Sequence, residues 1–186
     1  MRKIYFFGYG SYRSREKIRE VIQRDPEGGH GAVLEGYKLA IQVLDQTPEK
    51  VRPTLERVWG KDFQAYTLRR GGGGVAGVVW ELTEEDLAKI KEWEFVGSWR
   101  EIITASVKIA NGETISVVTE KVPDNQPIKE LADGFNYRAN LNREGRRDLK
   151  EFEEKDIELL RQLRRELSLF IQQKTPQIDY TPAFVH

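Results

Sequence analysis

Asn111-Gly112 separates two runs, 102–110 and 113–120, in which apolar and polar residues alternate. No other stretch limits the fold as much. Alternation sends successive side chains to opposite faces of a strand, and Asn-Gly favours the positive dihedrals of a two-residue hairpin turn. The chain therefore contains an antiparallel hairpin with one buried face, and the remaining elements have to complete a sheet around it.

Residues 3–9 are aromatic and β-branched and run into Gly8 and Gly10, which predicts a buried first strand and a tight turn. Ser14 then caps a short helix whose apolar residues Ile18, Val21 and Ile22 share one face, and Pro26, Gly28, Gly29 and Gly31 end it. Residues 32–43 read as one or two strands about Gly36. Residues 44–64, with Pro48 and Pro53 and no clean period, read as an irregular excursion with room for one helical turn. Strands over 64–68 and 75–82 flank Arg69 to Gly74, read as a flexible loop. A helix over 84–93 is opened by Thr83 and Asp86 in a capping-box arrangement. Residues 121–143 carry no clear pattern. Leu149, Phe152, Leu160, Leu163, Leu167 and Phe170 predict a long helix from about 143 to 174, followed by an extended tail.

The 186 residues suit one domain, here 1–143, with the helix and tail of 144–186 packed on it or on a partner subunit. Thirty basic residues balance thirty acidic ones, which argues against nucleic-acid binding. With no cysteine and only His30 and His186, the chain has no thiol nucleophile and little material for a metal cluster or a Ser-His-Asp triad. No apolar run approaches the roughly 20 residues of a membrane span, and the amino-terminal apolar stretch is too short for a signal peptide. The expectation is a cytoplasmic protein that avoids membranes and acts on a small molecule or a protein.

Three features bear on chemistry. Gly72 to Gly77 fits G-x-G-x-x-G, but it leads into strand residues instead of opening a helix, so nucleotide binding is not expected. In Phe7-Gly8-Tyr9-Gly10-Ser11-Tyr12, two glycines leave amide groups unobstructed beside a hydroxyl. Such a turn can hold a carboxylate or carbonyl oxygen, or it can be a plain turn with Ser11 as a local cap. Glu94 falls within about 60° of Leu87 and Ile90 on the apolar face of its helix. A carboxylate there, in the last turn, suits a group that takes up a proton and returns it. It equally suits a structural ion pair with Arg100, or a helix that ends one residue sooner.

The strand and turn Tyr5 to Ser11, the strand Leu34-Glu35-Gly36-Tyr37-Lys38-Leu39, Val75 to Leu82, the helix ending Ile90-Lys91-Glu92-Trp93-Glu94, and Trp99-Arg100 follow one another in an order that resembles the gamma-glutamylcyclotransferase-like family. The match spans about residues 3–120. It implies an α+β fold: a small mixed, strongly curved or closed β-barrel with flanking helices, here with the long C-terminal helix added. It also implies transferase or lyase chemistry that releases 5-oxoproline from a small gamma-glutamyl amine, amide or peptide, without metal or cofactor. By that resemblance Glu94 is the catalytic proton shuttle, and Tyr9, Gly10, Ser11, Tyr12 and Arg100 bind the substrate.

Tyr12 and Arg13 stand where the family commonly has asparagine or leucine, Lys91 where it often has aspartate, and Trp99 where tyrosine is usual. These differences motivate an alternative, a non-catalytic module that binds a small carboxylate metabolite. A homodimer through the C-terminal helix, or an assembly role for that helix, is a further expectation.

Overall fold

The computed structural model describes residues 2–137 together with Gln162 and Arg165. The elements run β1 (Ile4–Gly8), α1 (Arg15–Ile22), β2 (Glu27–Val43), α2 (Arg52–Trp59), β3 (Gln64–Leu82), α3 (Glu84–Trp93), β4 (Glu101–Ile109), β5 (Thr114–Lys121) and β6 (Glu130–Ala132). The sheet order is β3-β1-β5-β4-β2-β6, and β2 pairs back onto β3, which closes the first five strands into a barrel. Among the described strands only β1 and β5 run parallel, with Phe6 opposite Val118. The short β6 lies along β2 outside the ring.

The predicted hairpin is β4–β5, in register from Glu101↔Lys121 to Lys108↔Thr114. Strand alternation then builds two cores. Phe7, Leu34, Leu68, Val75, Val79 and Val117 pack together on one face. Ile4, Phe6, Trp80 and Val118 pack on the other, against Ile18, Val21 and Ile22 of α1 and Leu87 and Ile90 of α3. A third cluster gathers Leu44, Val51, Leu55, Phe63, Phe95, Trp99 and Val122 beside α2.

Three sequence expectations need correction. Arg69 to Gly74 is not a loop: β3 runs unbroken through it and pairs with β2 over nearly its whole length. Glycine serves there for close approach to β2, since a Cβ on Gly74 would stand 2.9 Å from Val33 Cγ1 and one on Gly71 2.9 Å from the Lys38 side chain. The segment Glu27 to Gly31 likewise begins β2 instead of forming a turn, and its irregularity appears as a register shift between Gly28 and His30. Finally, the 44–64 excursion contains the two-turn helix α2, with Pro53 in its first turn. The expected long helix, the tail and the 144–186 unit lie outside the described residues, apart from Gln162 and Arg165. Arg165 Nε stands 3.7 Å from Glu92 Oε1 on α3.

The start of α3 is fixed as the sequence predicts. Thr83 Oγ1 accepts from Asp86 N at 3.2 Å and Asp86 Oδ2 accepts from Thr83 N at 2.8 Å. The same carboxylate accepts from Arg24 Nε at 3.0 Å, tying α3 to the end of α1. Burial would raise the Asp86 pKa, but Arg24 and Thr83 outweigh it and hold the carboxyl below its ordinary 3.8. A depressed carboxyl stabilises the fold above its unfolded pKa, and this is lost as pH falls through the folded one. Asp86→Asn is therefore expected to cost about 1–3 kcal/mol at pH 7. Denaturant unfolding should show the difference from wild type shrinking as pH drops below 3.8.

Candidate active site

The turn after β1 is built around two glycines. A Cβ on Gly8 would lie 2.4 Å from the Tyr12 carbonyl oxygen, and Gly10 adopts φ +61°. With those constraints met, Gly10–Arg13 winds one turn of 3-10 helix that sends the Tyr12 side chain inward. Trp80 Nε1 donates to the Tyr12 carbonyl at 2.7 Å, and the Phe6 ring meets the Tyr12 ring edge-on at 5.6 Å. Fixed at backbone and ring, Tyr12 donates its hydroxyl to Glu94 Oε1 at 2.6 Å.

Glu94 is the C-cap of α3, so the helix does end at Trp93, one residue sooner than an intrahelical Glu94 requires. The termination is a Schellman motif: Val96 N donates to the Lys91 carbonyl at 2.9 Å and Phe95 N to that of Glu92 at 3.2 Å. Its left-handed position, usually glycine, is Phe95 at φ 50°. That conformation costs a non-glycine residue about 1–2 kcal/mol. Full burial of the Phe95 side chain, worth about 1.5–3 kcal/mol, offsets it. Trp99 N then bonds back to the Phe95 carbonyl at 2.8 Å, and Gly97 N to that of Arg100 at 2.8 Å. This tight loop returns Arg100 to Glu94, with Nε 3.2 Å from Oε2.

The predicted Glu94–Arg100 ion pair is thus present, and a residue that sequence reasoning missed completes it. Arg100 Nη1 donates to Glu120 Oε2, and Nη2 donates to the Tyr66 carbonyl at 3.0 Å. Arg100 Nε is buried and close to Glu94, but its angle makes no hydrogen bond. The Tyr9 hydroxyl donates to the Glu120 carbonyl at 2.6 Å. Two carboxylates therefore share one buried guanidinium. Burial pushes the Glu120 carboxyl up, Arg100 opposes this, and the charge of Glu94 adds to it, leaving Glu120 at about 7. Burial also raises the Tyr9 hydroxyl. Burial would lower the Arg100 pKa, but Glu120 and Glu94 more than reverse it, so Arg100 stays charged.

Of the sequence-predicted residues, Tyr9, Tyr12, Glu94 and Arg100 meet in this cluster. Gly10 and Ser11 shape the adjoining turn. Ser11 is exposed, and among the described residues no hydrogen bond joins either of them to Glu94. The Trp99 ring lies against the Arg100 guanidinium, with Cζ 4.4 Å from the ring centroid, while its Nε1 donates to Gln42 Oε1 at 2.8 Å.

Two solved structures share this architecture. An uncharacterized protein from Homo sapiens superposes with a TM-score of 0.57 at 21% identity, over 71% of this chain and 73% of its own. A structure described as gamma-glutamyl cyclotransferase superposes with a TM-score of 0.58 at 18% identity, over 100% of this chain and 95% of its own. The chain has the gamma-glutamyl cyclotransferase fold. No family profile and no curated protein matches its sequence, so the likeness lies in the gamma-glutamyl cyclotransferase architecture. Among the described residues no helix is long and apolar enough to cross a membrane.

Proposed function

We propose that the protein is a gamma-glutamyl cyclotransferase-type enzyme that releases 5-oxoproline from a small gamma-glutamyl amine, amide or peptide. The observation that carries this reading is Glu94, held at the end of α3 between the Tyr12 hydroxyl and Arg100, beside the glycine turn. The substrate α-ammonium gives a proton to Glu94, and the freed amine attacks the γ-carbonyl carbon. As the tetrahedral intermediate collapses, the bond to the leaving nitrogen breaks. Two protons leave the α-nitrogen in all and both end on the leaving amine, so one carboxylate that accepts and returns a proton suffices. The amides of the 9–12 turn hold the substrate carboxylate and the developing oxyanion. Holding the amine against the carbonyl supplies part of the rate, since the reaction is intramolecular.

The test is release of 5-oxoproline by the purified protein from a panel of gamma-glutamyl amines, amides and dipeptides. Turnover of at least one supports the proposal. A second reading, a module that binds a carboxylate metabolite without turning it over, is favoured by the engagement of both Glu94 oxygens by the protein itself. A ligand that co-purifies and stays intact, with no turnover of the panel, would establish it. Tyr12→Phe keeps the ring on Phe6 and removes the hydroxyl. It is expected to lower kcat/KM about tenfold, the range of a hydrogen bond to a charged group, with unfolding little changed.

A further inference from the structure

We propose that Glu120 is a positioning residue that shares Arg100 with Glu94 and thereby sets the pH range in which Glu94 carries protons. This rests on the reaction proposed above and adds to it a residue of β5. The geometry makes the division of labour. Arg100 commits Nη1 to Glu120 and Nη2 to the Tyr66 carbonyl, and presents only Nε, without a hydrogen bond, to Glu94 Oε2. Glu120 is 4% exposed and Arg100 5%, so neither charge is screened by water, and what one carboxylate draws from the guanidinium the other loses. Without Glu120, the whole cation would fall on Glu94 and hold it as a carboxylate, a poor acceptor in a shuttle that must work near neutral pH.

The groups around the pair come from every neighbouring element. They are Glu94 at the end of α3, Arg100 at the start of β4, Tyr9 and Tyr12 in the turn after β1, and Tyr137, whose field reaches Glu120 from beyond β6. Among them only Arg100 is cationic. With Arg100 permanently charged and placed against both carboxylates, the acid limb of the rate profile belongs to the arrangement and not to one residue. The burial-driven rise of the Glu120 carboxyl agrees with that picture.

The experiment compares wild type, Glu120→Gln and Glu120→Asp in two measurements. In the pH profile of 5-oxoproline release, Glu120→Gln is expected to move the acid limb to lower pH by about one unit. It should also lower kcat near neutrality about tenfold with KM little changed, while Glu120→Asp, which keeps the charge, restores the limb. The second measurement is independent of turnover: 13C NMR of glutamate-labelled protein. One carboxyl should titrate near neutral pH in wild type, be absent in Glu120→Gln and in Glu120→Asp, whose aspartate carries no label, and shift to lower pH in Glu94→Gln. A profile of Glu120→Gln that superposes on wild type, or a near-neutral carboxyl that survives in it, overturns the proposal. If wild type turns over no gamma-glutamyl compound, the reaction reading fails, and the NMR titration alone then decides the sharing of Arg100. Should Glu120→Gln fail to fold, the Glu94→Gln shift carries the same decision: no shift means that the two carboxylates are not coupled.

Discussion

Glu94→Gln is expected to abolish 5-oxoproline release, with kcat falling at least about 100-fold and more if the carboxylate also orients the amine. The amide is nearly the same size and still accepts from the Tyr12 hydroxyl, which now lies 2.6 Å from Oε1. Arg100 keeps Glu120 as its counter-ion. What disappears is the ability to accept a proton. Structure and chemistry therefore separate cleanly in this variant: its unfolding transition should stay within about 1 kcal/mol of wild type while turnover is lost. If release from every productive substrate continued at the wild-type rate, Glu94 would not be the shuttle.

Arg100→Met has the largest expected effect on stability. The side chain is 5% exposed, and its loss leaves Glu120 and Glu94 facing each other with no cation between them. Removing one partner from a buried ion pair costs about 3–5 kcal/mol. The penalty has a definite pH dependence. An acid whose folded pKa is raised binds more protons folded than unfolded between the two values, so its cost is fully present above the folded pKa and absent below the unfolded one. For Glu120 that window already runs from about 7 down to 4.5, and losing the guanidinium, which lowers the carboxyl, widens it upward. The deficit of Arg100→Met relative to wild type should therefore grow as pH rises above about 7, where only the variant still holds the Glu120 proton in the folded state, and shrink as pH falls back to about 7. Urea unfolding from alkaline pH down to about 7 is the measurement, and a deficit that did not shrink over that range would refute the charge argument.

How much of this was legible in the sequence follows from how local each cause is. The β4–β5 hairpin and the capped start of α3 depend on residues within a few positions of each other. Both were read correctly from spacing, whereas Glu94 caps the end of α3 and is not a residue of its last turn. The passage of β3 through Arg69 to Gly74 was not, because glycine reads as loop unless one knows that Lys38 and Val33 of β2 lie against Gly71 and Gly74. Glu120 escaped for a related reason. It shares a strand phase with Thr114, Ser116 and Val118, a mostly polar set that reads as solvent-facing. That face is covered where Val118 packs beneath α1 and α3, a tertiary fact with no trace in the alternation of β5. Barrel closure itself reached the sequence reading only through the family resemblance, since no local pattern specifies which strand β2 will pair with twice.

The parallel contact of β1 with β5 has a consequence for the order in which structure and competence arise. These strands are the ring's only parallel pair, and the Tyr9 hydroxyl meets the Glu120 carbonyl across 111 positions of chain. Contacts so distant in sequence repay the entropy of loop closure only once both partners are already formed. The carboxylate pair, the glycine turn proposed to hold the substrate and the proposed base Glu94 thus converge on the seam where the ring is sealed. An open ring could keep every helix and hairpin and still have no site, which makes catalysis a more demanding reporter of complete folding than any spectroscopic measure of secondary structure.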